Sequence, residues 1–175
     1  SVLEKAWART KHTGYAQVTR RVLTHFYDED ELTLESLRRM QTKLMDLSDP
    51  KVFESILEEA KIEARILDIW PDVGKVLDGT LALTPRGYLA ISLPDYHRIQ
   101  TCEDIQGLVK PLGRRVTSLD EYIAACREIF EGYKAFGAVT FKDQSAYTRT
   151  LDYGNPTRAE AEAVFNWILE DPRRC

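Results

Sequence analysis

Residues 118–142, SLDEYIAACREIFEGYKAFGAVTFK, decide the fold. Ser118 and Glu121 make a capping box, in which the serine oxygen accepts from the backbone N–H three residues on and the glutamate reaches back to the helix start. Tyr122, Ile123, Cys126, Ile129, Phe130 and Tyr133 then recur at three- and four-residue spacings along one helical face. Gly137 sits where a helix takes a left-handed stop, and Ala138–Phe141 follow as a short strand. After a long loop, Thr157–Glu160 repeats the capping device ahead of Ala161, Val164, Phe165, Ile168 and Leu169. Helices separated by strands in this way predict a parallel sheet with crossover helices, an α/β class.

Working back along the chain, Ile62–Trp70 (IEARILDIW) and Tyr88–Leu93 (YLAISL, stopped by Pro94) are two further strands. Leu81–Leu83 is a shorter run that pairs with the second strand as a hairpin across Thr84-Pro85-Arg86-Gly87, a stretch with good turn chemistry. The first 61 residues read as helical. Val18, Val22, Leu23, Phe26 and Tyr27 share one face, Leu34, Leu37, Met40, Leu44 and Met45 a second, and Asp49-Pro50 opens a third helix running to about Lys61. The expected organisation is a helical N-terminal segment, 1–61, and a β/α portion, 62–175, of one domain.

With 175 residues, a net charge of -4, 43% hydrophobic and 30% charged residues, the composition is that of a soluble globular protein. The same length is short of the roughly 200 to 250 residues of a complete eight-stranded β/α barrel. A pI near 5.5 and the acidic run Asp28-Glu29-Asp30-Glu31 argue against a nucleic-acid partner. The basic pairs Arg20-Arg21, Arg38-Arg39, Arg114-Arg115 and Arg173-Arg174 are scattered. No stretch approaches the roughly 20 apolar residues of a membrane span, and the start lacks the order of a signal peptide. Cys102, Cys126 and Cys175, odd in number and widely spaced, read as reduced thiols, so a cytoplasmic protein is expected.

Parallel α/β arrangements bind ligands beyond the carboxyl ends of their strands, where loops and helix starts converge. That rule selects Asp68, Trp70 and Asp72 after the first strand, Asp95, Tyr96, His97 and Arg98 after the second, and Lys142, Asp143, Tyr147 and Arg149 after the third. Lys142 suits a substrate clamp, a low-pKa amine or, once carboxylated, a metal ligand; its bland reading is an ion pair with Asp143 or another rim carboxylate. His97, two residues after Asp95, suits a base or metal role, against an ordinary polar loop. Asp68 reads as a turn or an ion pair with Arg65 or Lys61. His12 and His25 lack metal-ligand spacing and read as structural. No H-x-H, H-E-x-x-H, G-x-S-x-G, P-loop or G-x-G-x-x-G pattern occurs.

Leu32-Thr33-Leu34-Glu35 in a helical stretch, then Ile56-Leu57-Glu58-Glu59-Ala60-Lys61-Ile62 running into a strand, then Gly137-Ala138-Val139-Thr140-Phe141-Lys142 followed by Ala146-Tyr147-Thr148-Arg149, resemble the front half of amidohydrolase-related proteins. The resemblance covers residues 15–170 and lies on the branch that also holds uronate isomerases. It implies a partial TIM-type β/α barrel of three or four parallel strands, belonging to a longer enzyme. It further implies a metal-dependent hydrolase, or a related sugar isomerase, acting on a small anionic substrate. A divalent metal, zinc or manganese, is the implied cofactor; the family's H-x-H pair is missing, so its ligands are not identifiable in this chain. On this reading Lys142 and Asp143 are catalytic, and His97, Arg98, Tyr147 and Arg149 bind substrate. The expected partners are the substrate and a second copy or the remainder of the barrel. The competing reading is a small non-catalytic α/β ligand-binding or interaction domain.

Overall fold

A computed structural model describes residues 1–170, so Arg173, Arg174 and Cys175 lie outside the described residues. The chain divides into two compact units, Ser1–Ile56 and the residues from Leu57 onward.

The first unit is helical. Helices α1 (Val2–Thr10), α2 (Gly14–Tyr27) and α3 (Leu34–Met40) start on Ser1, Thr13 and Thr33, each side chain accepting a backbone N–H of the first turn. Asp28, in the left-handed conformation at φ 57°, ends α2. The helix predicted through Met45 stops earlier: a single 3-10 turn at 41–43 leads out of α3, and Leu44 is exposed. The loop beyond is fixed locally, since Asp46 accepts the Ser48 N–H at 2.9 Å before Pro50 opens α4 (Pro50–Glu59). Two members of the acidic run, Glu29 and Glu31, are engaged inside this unit. Glu29 takes both Nε and Nη2 of Arg39 at 2.6 and 2.8 Å, and Glu31 takes Trp7 Nε1 at 2.6 Å and Lys11 Nζ at 2.8 Å.

The second unit is mixed α/β. Its strands β1 (Arg65–Leu67), β2 (Gly87–Ser92) and β3 (Thr140–Lys142) form a three-stranded parallel sheet in the order β1-β2-β3, with Ile66 opposite Tyr88, Ile91 opposite Phe141 and Ser92 opposite Lys142. Helix α5 (Val73–Leu77) connects β1 to β2. Helices α6 (Pro94–His97), α7 (Cys102–Val109) and α8 (Leu119–Phe136) connect β2 to β3, and α9 (Arg158–Glu170) follows. The expected hairpin is absent. Both sides of β2 are taken by β1 and β3, so Leu81 and Leu83 have no strand to pair with and pack instead beside Val76 and Leu89.

Both crossovers lie on one face of the sheet. Val76 of α5 and Ile129 and Tyr133 of α8 close over Leu89 and Ile91, and the Phe130 ring meets Phe141 edge-on at 5.4 Å. Behind α8, Ile105 and Val109 of α7 and Phe165 and Ile168 of α9 complete a second cluster with Tyr122 and Ala125. A buried Tyr122 hydroxyl donates to the Tyr96 carbonyl at 2.8 Å, tying α8 to α6. The opposite face carries Ile66, 64% exposed, Tyr88, 45% exposed, and the exposed Thr140 and Lys142, around Ala90 and Ser92 of β2, which are buried. All-parallel sheets are ordinarily covered on both faces.

Of the three thiols expected to be reduced, Cys126 is free and buried, Cys102 is disulfide-bonded, a correction to that expectation, and Cys175 lies outside the described residues. Among the described residues no helix is long and apolar enough to cross a membrane.

Candidate functional site

The polar residues chosen from the sequence gather at the carboxyl ends of the three strands, because β2 and β3 run parallel and turn into loops on the same side. Strand β3 alternates as strands must. Phe141 faces the helices, so Lys142 falls on the bare face opposite Ser92. There Lys142 Nζ stands 4.0 Å from Asp68 Oδ2, and Gln144 Nε2 donates to the same oxygen at 2.8 Å. Asp68 is thus held from β3 rather than by the sequence neighbours first proposed for it. The Lys142–Asp68 pair is half exposed and carries little stability.

Asp143 turns away from that pair. Its Oδ1 accepts the Ser145 N–H at 2.8 Å and lies 3.6 Å from His97 Nε2, while Oδ2 accepts the Tyr153 hydroxyl at 2.9 Å. Bonds from the Ser145 hydroxyl and N–H, more than the His97 charge, hold its carboxyl low, at about 2. Asp143 is therefore a fixed anion at neutral pH, suited to orienting a histidine and poorly suited to accepting a proton itself. The buried Ser145 hydroxyl is 3.4 Å from the same His97 nitrogen. Both partners face Nε2, so the three groups are not in the serine–histidine–aspartate relay arrangement, where the acid holds the other ring nitrogen. Asp95, on α6, is raised above the usual carboxylate range, chiefly by burial, with the Ser92 hydroxyl and the Arg98 charge acting against it.

Beside this histidine opens a cleft of about 490 Å³ lined by His97, Arg98, Ser145, Thr148 and Arg149 among others. Arg98 Nη2 donates to Thr148 Oγ1 at 2.5 Å. Arg149 donates to the Thr150 and Asp152 carbonyls, and its guanidinium lies over the Tyr153 ring at 4.2 Å. Tyr147 is 84% exposed and does not line the cleft. The site thus has two parts: Lys142 with Asp68 on the bare face, and His97, Asp143, Arg98 and Arg149 around the cleft.

Sequence reasoning did not select Ser145, Thr148 or Tyr153. The D-x-S order of Asp143-Gln144-Ser145 was the available signal, since an aspartate readily accepts the N–H two residues on. Thr148 and Tyr153 carry no such signal; they arrive when the loop after β3 folds back. Among the described residues no three His, Cys, Asp or Glu side chains are grouped as a metal site.

No protein-family model, curated protein or solved structure matches the chain.

Proposed function

We propose that the chain is part of the β/α barrel of a metal-dependent hydrolase of the amidohydrolase-related kind, or of a related sugar isomerase, acting on a small anionic substrate. The observation that carries this reading is the one-sided sheet. Three parallel strands follow one another in chain order with both crossovers on one face, and on the other Ile66, Tyr88 and Lys142 stand exposed around the buried Ala90 and Ser92 of the central strand. A barrel is made this way, with helices outside and the inner face covered by closure on further strands.

The described residues do not fit the metal that the resemblance implies. His97 and Asp143 are the closest candidates, but both Asp143 oxygens are engaged by Ser145 and Tyr153 and no third ligand joins them. What these residues do is bind and move a proton: Arg98 and Arg149 attract the anionic group, and His97 exchanges a proton with the substrate while Asp143 holds the ring in place.

The gene on either side of this chain tests the reading. An H-x-H strand encoded before Ser1 and further strand ends bearing histidine and aspartate after Cys175 are expected. A start codon directly before Ser1 with a stop directly after Cys175 refutes the barrel. In the full-length protein, His97→Asn lowers turnover of a sugar acid or its amide at least about 100-fold without loss of folding; unchanged turnover removes His97 from the chemistry.

A further inference from the structure

We infer that the cleft beside His97 is a carboxylate-binding site, in which Arg98 and Arg149 together take the single negative charge of a small organic acid. This deepens the reading above and rests on it for the identity of the reacting end. The two guanidinium groups are the reason. Arg98 is spent on a threonine hydroxyl and Arg149 on two backbone carbonyls and an aromatic face, so among the described residues neither forms an ion pair with a carboxylate. Other cations of this unit are paired with an acid, as Lys142 is with Asp68, Arg114 with Glu128 and Arg158 with Asp120. Two unspent arginines on one cleft of about 490 Å³, within the size range of small-molecule sites, form a place where an anion is attracted and can be gripped by planar forks.

Both forks are held in advance. Thr148, which receives Arg98, itself donates to the Ser145 carbonyl at 3.3 Å, and Tyr153, under Arg149, is fixed by its bond to Asp143. Pre-set donors lose less freedom when they bind. The charge balance selects the class of anion. Asp143 is ionised beside the cleft, and Asp95, outside its lining, shares the field of Arg98. What remains of the two positive charges suits one carboxylate rather than a doubly charged phosphate. Lys142 does not line the cleft, so the anion is anchored by the arginines and the remainder of the molecule extends from there.

The test is isothermal titration calorimetry on the full-length protein with gluconate, with sorbitol, which has the same polyol chain without the carboxylate, and with inorganic phosphate. Gluconate binds saturably and sorbitol does not. Arg98→Met and Arg149→Met each weaken gluconate at least about tenfold, the loss of one charge-assisted contact, and the double variant abolishes it. Both side chains are exposed, so the thermal melts of these variants stay close to the parent's and the loss reports on binding. Tyr153→Leu, which frees Arg149, weakens gluconate by a smaller factor than Arg149→Met. No saturable gluconate binding, equal binding of gluconate and sorbitol, or arginine variants that bind gluconate as the parent does, each overturn the inference. Phosphate binding tighter than gluconate and lost in the same variants overturns the carboxylate assignment in favour of a phosphate. Arginine-dependent gluconate binding in a protein that turns over no sugar acid leaves this inference standing and refutes the enzyme reading instead.

Discussion

Truncating one side chain on each face of the sheet measures how one-sided it is. Leu89 is 0% exposed at the centre of β2, under Val76 and Ile129. Leu89→Ala loses the transfer energy of its removed carbons and leaves a cavity that two packed helices cannot collapse, so it costs about 3 to 4 kcal/mol. Ile66 lies on the adjacent strand and faces the other way, 64% exposed. Complete burial of an isoleucine is worth about 1.5 to 3 kcal/mol, and only about a third of that is realised here, so Ile66→Ala costs about 0.5 to 1 kcal/mol. Urea unfolding of the 175-residue chain, followed by far-ultraviolet circular dichroism, separates the two. The Leu89 variant unfolds about 1 to 2 M earlier with an unchanged m-value, and the Ile66 variant within about 0.5 M of the parent. Equal costs refute the assignment of the bare face. In the full-length barrel we propose, Ile66 points inward and its truncation moves into the range of Leu89; a cost still under about 1 kcal/mol there refutes the barrel.

Gly87→Ala would bring its new methyl carbon to 2.5 Å from Leu67 Cδ1 and 2.8 Å from the Thr84 carbonyl oxygen. That carbonyl is fixed by accepting the Gly87 N–H, so the usual gain from replacing a strand glycine is reversed and calorimetry shows a loss of about 1 to 3 kcal/mol. Tyr122→Phe removes the hydroxyl that satisfies the Tyr96 carbonyl; a cost of about 1 kcal/mol, or about 2 to 4 °C in Tm, is expected, and an unchanged Tm refutes the importance of that bond. The Asp143 carboxyl sits at about 2, below its usual 3.8. A lowered value stabilises the fold above the usual one and loses that contribution as pH falls through the lowered one. Acid titration therefore costs the parent more between about pH 4 and pH 2 than it costs Asp143→Asn, and parallel acid curves refute the assignment.

Where the sequence is legible, a single local interaction decides the structure. The Ser118 oxygen and the Gly137 backbone set both ends of α8, and Thr157 with Glu160 starts α9. Three elements were harder to read. Helix α7 opens with an aspartate rather than a glutamate closing the box on Thr101, and Gly107, a weak helix former, falls inside its eight residues. Pro94 reads as the end of a strand, yet a proline fits equally at the first position of a helical turn, which is what α6 uses it for. Leu81 and Leu83 alternate as a strand would, but period two on a loop also serves to lay two side chains onto one core, and only the strand order tells the cases apart.

The same distinction between pattern and partner changes the weight given to the site residues. From position alone Lys142 is the foremost group, a lysine at the end of a strand ahead of a long loop. Its charge is already shared with Asp68, however, so an incoming anion must compete with a carboxylate for it. Arg98 and Arg149 look less distinctive in the sequence, being arginines in polar loops, of which the chain has several. What sets them apart is that they line one cleft together, each resting on hydroxyl, carbonyl or ring rather than on an acid. A neutral acceptor leaves the net charge of a guanidinium unopposed, and that charge is felt across the cleft rather than cancelled at contact. The attraction for an anion therefore lies with the two arginines, while Lys142 and Asp68 are placed to meet a different part of the same molecule.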